Sequence, residues 1–277
     1  MSDLIVRRLL IDMKSPIASR WNGGDAFRSA FFNALSMSFP VGEQYFIDSV
    51  RNGLKSLREP ERERFDAEVR GFIGQEATHR RLHTLFNGHL DKLGYTNEIE
   101  ARAIKRIKAN AAYNLRAHVA ATAATEHFTA LFADWILRHP EALADTEPRL
   151  QTLWQWHCAE ESEHRNAAFD IYVAMGGEHA WRIRAFYYIS LIFMMDLTRQ
   201  TLRNLWHDSS LFSFSTWRSA AKFLFAKDGL IRGNIGLWRD YLSPDFHPSQ
   251  HESSLSQQWL IANATQFAVV GQVEPAK

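Results

Sequence analysis

A single cysteine, Cys158, leaves no intrachain disulfide to form, which suits a reducing cytoplasm and excludes a stapled secreted scaffold. Charge of one sign is missing too. Lys plus Arg number 32 against 31 for Asp plus Glu, and a net charge of +1 gives no reason to expect a nucleic-acid partner. The longest apolar run, Ala185 to Met195, falls short of the roughly 20 residues a bilayer requires, so no transmembrane span is expected. The stretch Met1 to Lys14 lacks a small-residue cleavage site, and no signal peptide is expected; the expected compartment is the cytoplasm. Strand signals are scarce and no strong linker divides the chain.

What the sequence does contain is a 3.6-residue periodicity and an apolar share of 46%, enough for a sizeable core. The expectation is an all-α protein with one domain over residues 1–277. A bundle of four long helices should occupy about 25–175, and additional helices and a tail about 178–277. The first long helix runs roughly Asp25 to Leu57, with Pro40 either kinking it or opening its second half. The second runs from about Pro60 to Leu93 and stops at Gly94. A short helix, Asn97 to Lys108, leads to a third over Ala111 to Arg138. The fourth spans Glu147 to Met175, ahead of Gly176-Gly177. Beyond lie an apolar helix, Trp181 to Trp206, and a less regular tail with Pro244, Pro248 and a polar C-terminus.

Each long helix carries an acid inside its own apolar stripe. Steps of four and three link Phe65, Val69, Phe72, Glu76, His79, His83, Phe86 and Leu90 on one face of the second helix. The third repeats this around Glu126, through Leu115, Val119, Thr122, Thr129, Ala133 and Ile136. The fourth reads Leu150, Trp154, His157, Glu161, His164, Ala168, Ile171 and Met175. In the first, Glu43 shares a face with Phe46, Ile47, Val50, Leu54 and Leu57.

An unpaired carboxylate in such a stripe costs several kcal/mol even after relaxation. Four together must either protonate or meet cations. The stripes hold no Lys or Arg near these acids, so metal ions are the expected counter-charge. Glu-x-x-His puts a carboxylate and an imidazole one turn apart on the same face. Two such pairs, Glu76/His79 and Glu161/His164, plus the lone Glu43 and Glu126, form the ligand set of di-iron and di-manganese carboxylate bundles. The set repeats, since Glu43 to Glu76 spans 33 residues and Glu126 to Glu161 spans 35. The longer interval of 47 from His79 to Glu126 is what one long crossover between two hairpins requires.

The sequence resembles a family of bacterial predicted metal-dependent hydrolases. The resemblance rests on Phe31-Phe32-Asn33-Ala34-Leu35-Ser36, Phe39-Pro40-x-Gly42-Glu43-x-x-Phe46, Phe72-x-x-Gln75-Glu76-x-x-His79, Ala124-x-Glu126-His127 and His157-x-x-Glu160-Glu161-x-Glu163-His164. These segments cover about Phe31 to Met175, with weaker likeness to about Tyr241. The resemblance implies a ferritin-like fold and a metal-dependent activity, and its motif positions fall on the six residues above.

Neighbouring residues carry alternatives. His83 and His157 are either core histidines bonded to a carbonyl or a nearby acid, or an additional ligand or proton shuttle. Glu160 is the rival of Glu161, because it also shares a face with His164, although the stripe favours Glu161. Tyr45 and Tyr113 either donate to ligand carboxylates, hold a radical or simply pack. Cys158 reads as an inert small hydrophobe and the nine tryptophans as packing groups. The helix from Trp181 to Trp206 would lie buried across the bundle or in a homodimer interface, or else line a tunnel for a long apolar substrate or rest on a membrane surface.

Oxygen-rich donors suit iron, manganese or a mixed pair better than zinc. The ligand order is that of oxygen-activating bundles, so the expectation is an oxidoreductase using dioxygen on a small apolar substrate. Its cavity should be walled by Phe46, Val50, Phe72, Phe86, Val119, Leu153 and Ile171, with Arg80 and Arg116 the nearest cations in sequence. The alternatives are a two-metal hydrolase, as the family's description has it, and metal storage or peroxide detoxification.

Overall fold

A computed structural model of the chain describes residues 4–251 and 254–271. The polar end expected beyond residue 271 lies outside them. The chain opens on a short strand, β1 (Arg7–Leu9), and reaches its first helix, α1 (Ala26–Ser56), where the Asp25 side chain accepts a hydrogen bond from the amide of Arg28. Then come α2 (Glu61–Lys92) and α3 (Glu98–Ala109), and α4 (Leu115–Arg138). Gly94 follows α2 with φ +85°, a left-handed backbone that glycine adopts freely. The third long helix starts at Leu115 rather than Ala111, because Asn114 caps it by accepting from the amide of Ala117.

The fourth long helix is not continuous. It divides into α5 (Pro148–His164) and α6 (Ala167–Ala174) at Arg165-Asn166, where an asparagine competes poorly for helical backbone. The apolar helix is α7 (His179–His207). The additional C-terminal helices expected are α8 (Phe214–Phe225), α9 (Leu230–Asp240) and α10 (Ser254–Ala262), which take up much of the less regular tail, each stabilised by the face it lays on the bundle. The last element among the described residues is β2 (Phe267–Val269), antiparallel to β1 with Arg7 opposite Val269. This is the only named sheet among the described residues, so the fold is all-α as expected.

The bundle is two helical hairpins, α1 with α2 and α4 with α5–α6, joined by a crossover through α3. α1 also packs on α4, and α2 on α5 and α6, which closes the ring. The stripes face inward. Every member of the α2 stripe from Phe65 to Leu90 is buried, and Glu43, Glu126, Glu161 and His164 are buried with the apolar residues around them. α7 covers the bundle by packing on α1 and α4.

Pro40 sits inside α1, where its ring nitrogen cannot bond the carbonyl of Ser36. Asn87 of α2 fills the gap: its Nδ2 donates to Ser36 O at 2.9 Å, and Asn97 Nδ2 donates to the next carbonyl, Met37 O, at 3.0 Å. The proline is therefore stitched to the neighbouring helix at the level of the site. At the opposite side of α2, Gly71 and Gly74 let the N-terminal segment lie directly on the helix. A Cβ at Gly74 would stand 2.3 Å from Val6 Cγ2, and one at Gly71 would stand 2.8 Å from the carbonyl oxygen of Leu4. That contact brings Arg7 over the bundle.

Candidate metal centre

α1, α2, α4 and α5 bring Glu43, Glu76, His79, Glu126, Glu161 and His164 to one level of the bundle interior, all buried. Among the described residues four sets of donor atoms lie within 4.8 Å of one another, two of which bring in His157, and the two that contain only the expected ligands overlap. One is Glu76, Glu126, Glu161 and His164; the other is Glu43, Glu76 and His79. Glu76 belongs to both, so one of its oxygens can face each group. Nε2 of His164 stands 3.1 Å from Glu76 Oε1, 3.4 Å from Glu126 Oε2 and 3.5 Å from Glu161 Oε1.

The two histidines are held by the nitrogen that faces away. Nε2 of His79 donates to Glu160 Oε2 at 3.0 Å, which leaves Nδ1 turned to the cluster. Nδ1 of His164 donates to Gln75 Oε1 at 3.0 Å, which leaves Nε2. The orientation of the Gln75 amide is itself fixed, since its Nε2 donates to Ile5 O and to Glu163 Oε2. Such outer partners set the tautomer and aim of metal-binding imidazoles. Arg7 completes the support, reaching Glu160 Oε1 at 3.1 Å and Glu163 Oε2 at 2.7 Å.

The free donors are the strongest sign of what the cluster fits. Among the described residues, both oxygens of Glu43, Glu76 and Glu126, Oε2 of Glu161, Nδ1 of His79 and Nε2 of His164 are buried without a well-aligned hydrogen bond, although His164 Nε2 lies close to Glu76 and His79 Nδ1 close to Glu161. Buried polar atoms are almost always satisfied, and each orphan costs on the order of 1–3 kcal/mol. A convergent set of carboxylate oxygens and imidazole nitrogens is what divalent cations take. The residues present therefore fit metal ions.

His157 and His83 differ in this respect, because their nitrogens are already used. Burial, then the charge of neighbouring His79, pushes His157 down to about 4, and burial, then His157, pushes His83 well below the ordinary histidine range. With both rings neutral, Nε2 of His157 donates to Glu161 Oε1 at 2.9 Å, and its Nδ1 accepts from His83 Nε2 at 2.6 Å. Ser36 Oγ stands 2.9 Å from His83 Nδ1 and 2.7 Å from Asn87 Oδ1, and its one proton serves one of these two acceptors. His83 and His157 also lie near Glu43 within metal-binding distance, so the alternative of an extra ligand remains compatible with the geometry.

Without metal the charges arrange themselves around protons. Burial raises Glu43 and Glu126 well above the usual carboxylate range, and the nearby carboxylates of Glu76 and Glu161 raise them further. Burial opposes protonation of His79, but Glu160 and Glu161 outweigh it and hold its pKa up at about 10. His164 is likewise raised, against its own burial, by Glu161. Glu161 is driven well below the usual range in spite of burial, because His164 and His157 stabilise its charge.

Some expected neighbours are elsewhere. Tyr45 donates to or accepts from His118 Nδ1 at 2.8 Å instead of a site carboxylate, and burial lifts its pKa to about 12. Tyr113 is exposed on the surface ahead of α4. Arg116 donates to Gly176 O at the bundle end. The cation at the cluster's edge is Arg7, some seventy residues before His79 in sequence; no local pattern announces it. Gln75 and Glu163 stood next to expected ligands inside the quoted motif segments, and that adjacency was the signal available. Glu160, the rival of Glu161, is fully buried and bonds the outer nitrogen of His79.

A cavity of about 980 Å³ meets the cluster at Glu161, His157 and Cys158. It lies at the upper end of the roughly 300–1,000 Å³ typical of ligand pockets. Its walls are Phe27, Phe31, Leu35 and Phe39 of α1, Phe128 and Phe132 of α4, and the inner faces of α7, α8 and α9. The expected wall of Phe46, Val50, Phe72, Phe86, Val119, Leu153 and Ile171 does not line it. Those side chains interlock as solid core, because the stripe positions beside the ligands point at one another across the bundle. Cys158 is buried beside the cavity, where burial, and then Glu161, holds its thiol well above the ordinary range. That agrees with an unreactive thiol.

The family whose sequence model matches residues 5–252 is described as predicted metal-dependent hydrolase. No curated protein and no solved structure matches the chain.

Proposed function

The chain belongs to the predicted metal-dependent hydrolase family, and from that premise we propose that it is a dinuclear metal enzyme acting on an apolar, chain-like substrate. The observation that carries this reading is the meeting of two features at Glu161: a cluster of orphaned donors and a cavity walled by aliphatic and aromatic side chains. Glu76, Glu126, Glu161 and His164 would hold one ion and Glu43, Glu76 and His79 the other, with Glu76 shared. Four ionised carboxylates balance the charge of two divalent ions. All donors are oxygen or imidazole nitrogen, which suits iron or manganese and makes thiophilic ions less apt.

Bound ions would supply an activated water and a Lewis acid for a developing oxyanion. The remaining tasks fall to the chain. The apolar wall excludes bulk water and orients an acyl or aryl group with its polar end at Glu161. His157, at the junction and neutral, steadies Glu161 by donating from Nε2 and is itself held by His83 at Nδ1, so it fixes the carboxylate at the cavity's inner end. Glu160, Arg7 and Gln75 hold the imidazoles in aim. Hydrolysis of an ester, thioester or amide of a long apolar acid accommodates both the family's description and the cavity.

Oxidation by dioxygen is the second reading. The ligand order, and the near absence of protein cations in the cavity wall, support it; nothing in the comparisons does. The two separate in one experiment. Protein loaded anaerobically with ferrous, manganous or zinc ion is offered acyl esters of graded length, and then air. Metal-dependent ester cleavage with no oxygen uptake supports hydrolysis. Oxygen consumption with inert esters transfers the assignment to oxidation, and neither activity with any metal removes both.

A further inference from the structure

The geometry points to a second function for the face made by α7, α8 and α9: it docks on an anionic phospholipid surface, with the mouth of the cavity against the lipid. The idea rests on the apolar-substrate reading for its purpose but on separate observations for its evidence. Among the described residues, every exposed tryptophan and phenylalanine falls between Trp181 and Phe225. Phe212, just before α8, and Phe214, its first residue, are 86% and 83% exposed, and Leu191 on α7 is 67% exposed. Isolated exposed apolar residues are ordinary, but a cluster of large ones marks an interaction surface.

The cluster surrounds an opening. Leu191, Leu202, Trp217, Phe225 and Ile235 are exposed and also line the cavity, so the apolar wall runs without interruption from Glu161 to the surface. Cations frame the same rim. On α8, Arg218 and Lys222 stand one turn apart, with Phe225 next on their face; on α9, Arg232 and Arg239 stand one turn either side of Ile235. On α7, Arg199 shares a face with Met195 and Leu202.

Residues 181–240 hold nine lysines and arginines against four aspartates, an excess of five in a chain whose net charge is +1. Two of those aspartates are neutralised from outside, Asp196 by Arg102 and Arg106, and Asp208 by Arg20. Arg199, Arg218, Lys222 and Arg232 have no carboxylate within ion-pair distance among the described residues. Aromatic side chains beside unpaired cations are the composition of interfacial segments, which sink rings to the headgroup level and leave cations to the lipid phosphates. A second copy of the chain is a poorer occupant. In a twofold interface this basic face would meet itself. No helix among the described residues is long and apolar enough to cross a membrane, so the contact is one of lying on the surface.

The test is co-flotation of the full chain with vesicles of phosphatidylcholine alone, or with about one-third phosphatidylserine, at low and high salt. Binding is read without turnover, so a failed activity assay leaves this result intact, and a failed flotation leaves the metal centre intact. Partition to the anionic vesicles that salt reverses is expected. Arg218→Glu with Lys222→Glu should lower it at least about twentyfold, taking about fivefold per cation lost. Phe212→Ser with Phe214→Ser should also lower it. All four side chains are exposed, and circular dichroism checks that the variants fold. The proposal is overturned if the wild-type chain ignores anionic vesicles, if partition is indifferent to lipid charge, or if the chain forms a dimer that Phe212→Ser with Phe214→Ser dissolves.

Discussion

Glu160 and Glu161, adjacent on α5, grip His79 from opposite sides: Glu160 Oε2 lies 3.0 Å from Nε2 and Glu161 Oε1 lies 3.4 Å from Nδ1. A helix separates neighbours by about 100°, so two consecutive residues can flank one ring only when it sits between their faces. The pair gives the first prediction. Glu160→Ala should weaken metal binding roughly 10–100-fold, as loss of an outer partner does. Glu161→Ala should weaken it further, since its orphaned Oε2 faces the cluster. Titration against a chelator of known affinity measures both. Equal losses would mean that Glu160 itself takes a metal ion.

Metal removal should destabilise the protein. A ligand that binds only the folded state, at a hundred times its dissociation constant, adds about 2.7 kcal/mol. Chelation should therefore lower the melting temperature, with recovery when metal is restored. A melting temperature unchanged by chelation that demonstrably strips the metal would contradict the proposed centre.

The metal-free protein should also respond to pH in a set direction. His79 is held at about 10, above the roughly 6.5 of an unfolded histidine. Its contribution is complete below about pH 6.5 and is lost as pH rises through about 10. Glu43 and Glu126, raised by burial and by their acidic neighbours, stay protonated in the fold where the unfolded chain would ionise, so they act with the same sign. Urea midpoints of the metal-free protein should fall from about pH 7 to about pH 10. Metal affinity should run the other way, rising with pH, because these protons leave when metal enters. A metal-free midpoint that climbs over this range would show that protons do not occupy the centre.

The cavity offers a test independent of chemistry. Ala221 lines it on α8 and is exposed at one side, so Ala221→Trp can fill the channel without overpacking the core. Each buried methylene is worth about 0.8 kcal/mol, or about fourfold in affinity. Binding of fatty-acid probes to wild-type protein should tighten with chain length by about this factor, and the variant should cut the series short while keeping its metal. A series that is flat in both proteins would remove the apolar chain as the substrate class.

The four long helices and the inward-facing acids were legible because a carboxylate at a position due for an apolar residue breaks a regular pattern. Glu76 between Phe72 and His79 is such a break. The Glu-x-x-His spacing then forced each imidazole to the acid's side. Three features had no local pattern to announce them. Arg7 reaches the cluster from a strand of three residues whose partner is near the other end of the chain. The break at Arg165-Asn166 leaves the apolar stripe almost in phase, so periodicity ran through it. The cavity depends on how α7, α8 and α9 stand off α1, which is a matter of tertiary packing, and the residues beside the ligands proved to be filled core instead.

The pairing of β1 with β2 has a consequence for timing. All six residues of the cluster have been synthesised once His164 is made, yet the strand that steadies Arg7 is completed only at Val269. At about 5–20 residues per second, roughly 5–20 s separate the two events on the ribosome. During that interval a nascent chain can gather its carboxylates and imidazoles, but the clasp over Glu160 and Glu163 has no second strand to rest on. The strand β2 thus closes over a segment made long before it, and a centre gathered from residues 43–164 would gain the support of Arg7 only about a hundred residues later in synthesis.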